Sequence, residues 1–285
     1  MDTTHETLLD EISAVFAAGE RTPTPALLAL LDRFLSALEA GAVRAATRDE
    51  GGTWRVEHRV KQGILVGFRL GRIVGHGGDE GPLHFADKDT YPTHRPDFAA
   101  RGIRIVPGGS SVRRGAHLGE SVTCMPPMYV NVGAYVGAGT MVDSHALVGS
   151  CAQIGEGVHL SAGAQIGGVL EPIGMRPVIV EDHALVGGNT GIYEGTLVRE
   201  RAVIGAGVVL TASTPVYDVV HERVLRASAD APLEIPANAV VVPGSRPLAR
   251  GAFAEDHGLH IATPLIVKYR DERTDLRAAL EGDLR

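Results

Sequence analysis

Two carboxylates stand where they could do chemistry. Asp143 follows an aliphatic residue directly in "GTMVDSHALVG", and Glu194 sits in "GIYEGTLV". Facing each other across a cleft, two carboxylates would hold an ammonium group and accept its proton, which acyl transfer to an amine requires. At turns the same side chains simply cap backbone N–H groups. His145, two residues after Asp143, adds a third possible base. His117, His145, His159 and His183 contain no close pair and fall at differing places in the surrounding pattern, which argues against a three-histidine zinc site, so no metal is expected. Cys124 and Cys151 lie among small and apolar neighbours and read as packing thiols rather than nucleophiles.

The pattern that must position these groups has a period of six. Aliphatic or small apolar residues recur from Val112 through Leu118, Cys124, Val130, Val136 and Val142 to Ile166 without a slip. After "GGVLEPIGMRPVIV" the series resumes two residues out of step at Val180 and runs to Val216. A strand would show period two and a helix 3.6, so neither accounts for it. Six is the period of the hexapeptide parallel β-helix. Each hexapeptide there supplies one short flat face and one turn, three faces close a triangular coil, and the repeated aliphatic side chain points inward. The 36 glycines suit tight corners with little room for a Cβ. Ile235 and Val241 predict a final coil after a loop near 218–234, and a second loop is expected near 172–179.

Before the repeats, "TPALLALLDRFLSALEAG" reads as a helix with Thr24 as N-cap, Pro25 at its first position, an apolar face of Leu27, Leu28, Leu31, Leu35 and Leu38, and Gly41 past its end. A shorter helix is expected over 5–18, while "TWRVEHRVKQGILVGFRLG" is ambiguous between strand and helix. The expected organisation is mainly β: an α-rich domain over 1–105, the β-helix over 106–250, and a cap of one strand and one short helix over 251–285. With 44% apolar residues the chain has material for a large core, and a net charge of −7 gives no general attraction to nucleic acid or an anionic membrane. "MDTTHETLLDEIS" has no signal-peptide pattern and no apolar run approaches a bilayer span, so a cytoplasmic location is expected.

A narrow prism has no interior cavity, so a site must lie outside, between neighbouring prisms. Such a cleft suits an extended acyl coenzyme A. Carbonic anhydrases of the γ class and purely structural solenoids are built on similar repeats.

The stretch "MYVNVGAYVGAGTMVDSHALVGSCAQIGEGVHLSAGAQIGGVLEP", with "GIRIVP" before it and "VIVEDHALVGG", "YEGTLV" and "PLIVKYRDERT" after it, resembles the tetrahydrodipicolinate N-succinyltransferase family over most of the chain. The resemblance implies a left-handed coil and a homotrimer with sites between subunits. It also implies succinyl transfer from succinyl-CoA, a co-substrate rather than a resident cofactor, to the amine of ring-opened tetrahydrodipicolinate in diaminopimelate and lysine biosynthesis. By position, Asp143 would bind the amine, Glu194 would face it across the cleft, and Arg104 of "GIRIVP" would pair with a substrate carboxylate. Gly187 or Gly188 would offer a backbone N–H to the oxyanion. Arg246 and Lys268, with Arg270, are the candidates for the CoA phosphates on charge alone. The chain departs from the family pattern at Ser144 and His145, where Thr and Trp are common, and at "GGNTGIYEG", where an Ala-Arg-Ser type of segment is common. The second departure leaves acetyl transfer as an alternative. A non-catalytic trimeric scaffold is the alternative outside enzymes.

Overall fold

The computed structural model describes residues 3–76, 85–94, 96–248 and 251–270. Three helices open the chain: α1 (Thr3–Ala18), α2 (Pro25–Glu39) and α3 (His58–Leu70). Helix α2 starts as its sequence dictates, with the Thr24 hydroxyl accepting the Leu27 N–H at 3.3 Å and Pro25 in the first turn. It ends with Gly41 in the left-handed region. Its buried stripe is Leu31, Phe34, Leu35 and Leu38: Phe34 joins the expected face, while Leu27 is only half-buried and Leu28 is exposed.

The ambiguous stretch divides. Trp54–Val56 is a strand paired with Ala46–Arg48, and α3 follows with Glu57 capping the Arg59 N–H. The glycines that weakened the helical pattern are packing positions. A Cβ on Gly63 would lie 2.6 Å from the Phe34 ring, and one on Gly67 would lie 2.1 Å from the Tyr91 hydroxyl. That hydroxyl donates to the Ile64 carbonyl at 2.6 Å.

After a first strand at Arg104, two-residue strands recur every sixth residue from Ser111 to Gln165 and again from Ile179 to Val209, stacking in parallel into three faces, the triangular coil that the period predicts. Each face takes its name here from its first strand. The Arg104 face stacks Arg104–Ile105, Thr123–Cys124, Met141–Val142, His159–Leu160, Leu185–Val186 and Val203–Ile204. The Ser111 face runs from Ser111–Val112 to Val209–Leu210, and the His117 face from His117–Leu118 to Glu234–Ile235. The second residue of nearly every strand is fully buried, as in Val142, Val148, Ile154, Leu160 and Ile166. Burial of each such side chain contributes about 1.5–3 kcal/mol. These inner columns form one continuous core.

The slip in phase is an insertion between Gln165–Ile166 and Ile179–Val180, after which the coil continues on the next face. A second departure was not legible. Val216 keeps the hexapeptide phase, yet Val216–Asp218 leaves the coil and forms a hairpin with Arg223–Leu225 inside the segment expected to be a loop. The coil resumes at Glu234–Ile235 and Ala239–Pro247, the final coil expected from Ile235 and Val241. His260–Tyr269 then returns antiparallel along Ala239–Pro247 and covers the end of the Arg104 face. A short helix, α4 (Ala252–Asp256), lies between those two strands, and the expected C-terminal helix falls outside the described residues.

The N-terminal elements cover the His117 face. Arg44 stacks 3.5 Å from the Tyr135 ring centroid and donates to Gln153 at 3.0 Å. The Trp54 indole donates to buried Glu181 at 2.7 Å, and Ala46 packs with Ile179 and Leu197. Val132 and Cys151 of the solenoid complete the core of the helices. Among the described residues no helix is long and apolar enough to cross a membrane.

Candidate active site

Asp143 is the first residue after inward-pointing Val142, at the corner where the chain passes from the Arg104 face to the Ser111 face. Its N–H donates to Leu160 O at 2.9 Å, which fixes the backbone in the coil. Its half-buried carboxylate accepts the Ser144 N–H at 2.6 Å. His145 takes the left-handed conformation that this corner demands (φ 61°), as do Gly163, Asn189 and Gly207 further along it. The His145 side chain is exposed.

Gly187 and Gly188 occupy the same corner two rungs on, about 10 Å from Asp143 at the usual spacing of stacked strands. The Gly187 N–H already donates to Ile204 O at 2.7 Å, so it is not a spare oxyanion donor. Gly187 is glycine because a Cβ there would lie 2.5 Å from the Ala206 nitrogen. Gly188 is half-exposed, its carbonyl accepts from Gly207, and its N–H has no acceptor among the described hydrogen bonds. Arg104 is exposed on the outer column of the Arg104 face, two rungs before Met141. Asp143, Gly188 and Arg104 therefore share one side of the prism.

Glu194 is elsewhere. It lies at the next corner, between the Ser111 and His117 faces, two rungs beyond the coil of Asp143. One prism cannot bring the two carboxylates together. Glu194 is exposed with φ 53°, followed by Gly195 at φ 71°, so two consecutive residues are left-handed. The conformation is one that the coil's corners impose repeatedly, as at Ser121, Cys151, His183 and Arg201, and it does not by itself mark Glu194 as functional. Its carboxylate accepts the Ala212 N–H at 2.9 Å, the capping role that acidic residues play at turns. The Tyr193 ring folds back over Gly191, where a Cβ would lie 2.5 Å from it.

The phosphate candidates separate. In the terminal hairpin Arg246 is opposite Ile261 while Lys268 is opposite Val240, which puts them at opposite ends, about 20 Å apart along the strand. No single phosphate reaches both. Arg246 has a buried Nε with no hydrogen-bond partner, and Lys268 is exposed. Arg270 instead donates to the carbonyls of His183 and Arg201 and ties the strand to the coil. Burial pushes the thiols of Cys124 and Cys151 up to about 12, so neither is a nucleophile near neutral pH. Burial lowers the pKa of His117, whose ring stacks on Tyr135 and whose Nδ1 contacts Glu39 O. Among the described residues no three His, Cys, Asp or Glu side chains are grouped to hold a metal ion.

The chain matches two family models, one described as the tetrahydrodipicolinate N-succinyltransferase N-terminal region over residues 7–70 and one as the hexapeptide repeat of succinyl-transferase over residues 177–212. A 2,3,4,5-tetrahydropyridine-2,6-dicarboxylate N-succinyltransferase of Polynucleobacter asymbioticus is 42% identical over 258 residues, covering 88% of this chain and 87% of its own. That of Idiomarina loihiensis is 38% identical over 291 residues, covering 100% of this chain and 99% of its own. The chain belongs to the tetrahydrodipicolinate N-succinyltransferase family. A solved structure of a putative 2,3,4,5-tetrahydropyridine-2-carboxylate N-succinyltransferase from Campylobacter jejuni is 18% identical with a TM-score of 0.45, covering 86% of this chain and 64% of that one. The N-terminal family model spans α2, α3 and all but the first turn of α1, and the repeat model spans the rungs that carry Gly187, Gly188 and Glu194.

Sequence reasoning missed the contacts beneath Glu194. A Cβ on Gly195 would lie 2.9 Å from the carbonyl oxygen of Arg176, in the insertion, and Lys61 of α3 is wholly buried against the same segment. The one signal in the sequence was the break in the hexapeptide phase.

Proposed function

We propose that this chain is a cytoplasmic N-succinyltransferase of diaminopimelate and lysine biosynthesis. It moves succinyl from succinyl-CoA to the amine of ring-opened tetrahydrodipicolinate, L-2-amino-6-oxopimelate. The observation that carries this reading is the 38–42% identity to relatives of that name over nearly the whole chain. The placement of Asp143 and Glu194 at different corners supports a homotrimer, in which Asp143 of one prism and the acidic turn of its neighbour line a shared cleft.

The chemistry follows from the groups. An alkylammonium ion is not nucleophilic, so a carboxylate must first take its proton. Asp143 holds the amine, Glu194 from across the cleft shares the ammonium, and one of the two receives the proton as the nitrogen attacks the thioester carbonyl. A tetrahedral oxyanion forms, stabilised by the N–H of Gly188. The nitrogen of this adduct still carries two hydrogens. As the C–S bond breaks it gives up the second, which the departing sulfur takes, so coenzyme A leaves as the free thiol and the N-succinyl amide remains. The first proton passes from the carboxylate to solvent. The Arg104 guanidinium pairs with an acceptor carboxylate. Arg246 and Lys268, at opposite ends of the terminal hairpin, would contact different phosphates of coenzyme A. The thioester is already activated, so no acyl-enzyme is needed and both cysteines stay out of the reaction.

Acetyl transfer to the same acceptor is the second reading, favoured by Asn189 and Thr190 where an arginine-bearing segment is common in the family. Release of CoA thiol from succinyl-CoA and from acetyl-CoA, each with and without L-2-aminopimelate, decides between them. Acceptor-dependent release from succinyl-CoA is expected. A preference for acetyl-CoA would overturn the succinyl assignment, and no release from either would leave a non-catalytic scaffold.

A further inference from the structure

The insertion between Ile166 and Ile179 meets the N-terminal helices on one side and the Glu194 turn on the other. Helix α3 holds it by its main chain: the buried Lys61 ammonium donates to Met175 O, and His58 Nδ1 lies 3.1 Å from Ile173 O. Leu170 packs on the core of the helices. On the far side the insertion supports residues 193–195. Gly167 lies beneath the Tyr193 ring, 2.8 Å from a Cβ built on it, and Gly195 rests on Arg176, whose carbonyl and Cβ are 2.9 and 3.1 Å from the Cβ position. Met175 and Arg176 are consecutive, so the peptide that Lys61 grips leads directly into the residue on which Gly195 rests.

A lysine is a costly choice here. Its ammonium loses its water, and burial lowers its pKa despite the nearby Cys151. A methionine would fill the volume without that cost, but it has no donor to fix a carbonyl. A donor at this buried position points to a requirement for placement rather than for packing.

We propose that Lys61 is a positioning residue for Glu194. It locks the Met175 carbonyl and so fixes the following residue, Arg176, against whose carbonyl and Cβ the left-handed Glu194–Gly195 turn is formed; the N-terminal domain thereby sets the geometry of the catalytic carboxylate through the insertion. The inference rests on the role given to Glu194 in the proposed function.

The test uses the full chain carrying Lys61→Met, with kcat and KM measured in wild-type and Glu194→Gln backgrounds and amide hydrogen exchange followed by mass spectrometry. Misplacement of a reacting group by about 1 Å costs on the order of a hundredfold. Lys61→Met is therefore expected to lower kcat roughly tenfold to hundredfold, with KM for succinyl-CoA within about twofold. In the Glu194→Gln background the same substitution should change kcat little, because the group it positions is already gone. Amides of 168–178 and 193–196 should exchange faster, while those of 203–210 should not. Equal loss of kcat in both backgrounds, or unchanged exchange at 193–196, would overturn the proposal. Should Glu194→Gln keep full turnover, the catalytic reading of Glu194 falls by itself, and exchange at 193–196 still decides whether Lys61 holds the turn. Should Lys61→Met fail to fold, Gly195→Ala, which presses on the Arg176 carbonyl from the other side, is expected to show the same dependence on background.

Discussion

Substitutions at Glu194 separate its role in the turn from the chemical role proposed for it. Its left-handed backbone (φ 53°) costs a non-glycine residue about 1 kcal/mol. Its acceptance of the Ala212 N–H at 2.9 Å, on an exposed side chain, contributes about 1 kcal/mol. Glu194→Gly relieves the first and loses the second, for a net change near zero. Glu194→Ala keeps the strain and loses the acceptor, for a net loss of about 1 kcal/mol. Glu194→Gln keeps an acceptor oxygen and loses only the charge. A chain this long shifts its melting temperature by about 2 °C per kcal/mol. Calorimetry should therefore put the Gln and Gly variants close to wild type and the Ala variant about 2 °C lower. Turnover should not follow that order: all three lack the carboxylate and should lose on the order of 10²–10⁴ in kcat in the CoA-thiol assay. Wild-type kcat in Glu194→Gln beside a lowered melting temperature in Glu194→Ala would refute the reasoning. It would make Glu194 a turn cap and return the base to Asp143 or His145.

Asp218 gives a pH prediction. Burial opposes its charge, but His221 Nδ1, the Tyr269 hydroxyl and Arg223 Nε, all within 2.9 Å, outweigh that and hold its pKa at about 2. A depressed carboxyl pKa stabilises the fold above the ordinary value near 3.8, and that stabilisation, about 2 kcal/mol, is lost as pH falls from about 4 towards 2. The stability gap between wild type and Asp218→Asn should close over that window, and a gap that persists at pH 2 would contradict it. Gly187→Ala forces a Cβ to 2.5 Å from the Ala206 nitrogen and should cost about 1–3 kcal/mol in denaturant unfolding; wild-type stability would mean that the coils are less closely stacked than the structure has them. Cys124 and Cys151, fully buried with thiols pushed up to about 12, should resist a thiol reagent at pH 8 until the protein unfolds, and rapid labelling of the native protein would contradict that burial.

The solenoid was legible because its code is local: one inward aliphatic residue in six, with corners that favour glycine or asparagine. The ends of α2 were legible for the same reason, since Thr24, Pro25 and Gly41 each act within a turn or two. Helix α3 was not, because Gly63 and Gly67 look like breaks until the Phe34 and Tyr91 rings that occupy their missing side chains are in place. Val216 misled because phase alone does not reveal when the chain leaves the coil to pair with His260–Tyr269. Asp143 and Glu194 were visible as acids near inward residues. Their separation onto different corners depended on how the insertion advances the coil, and the Lys61 contact joins residues more than a hundred positions apart with no local signature.

The helices at the start of the chain do not own their whole core, since Val132 and Cys151 supply part of it. On the ribosome α3 is complete at Leu70, but the last of those residues emerges 81 positions later, on the order of ten seconds at ordinary elongation rates. Over that interval the nascent segment carries an unfilled apolar surface, which a chaperone can occupy and which a second nascent chain can reach. The helical region is thus translated first and finished late, and the solenoid that it covers is also the template on which it completes its folding.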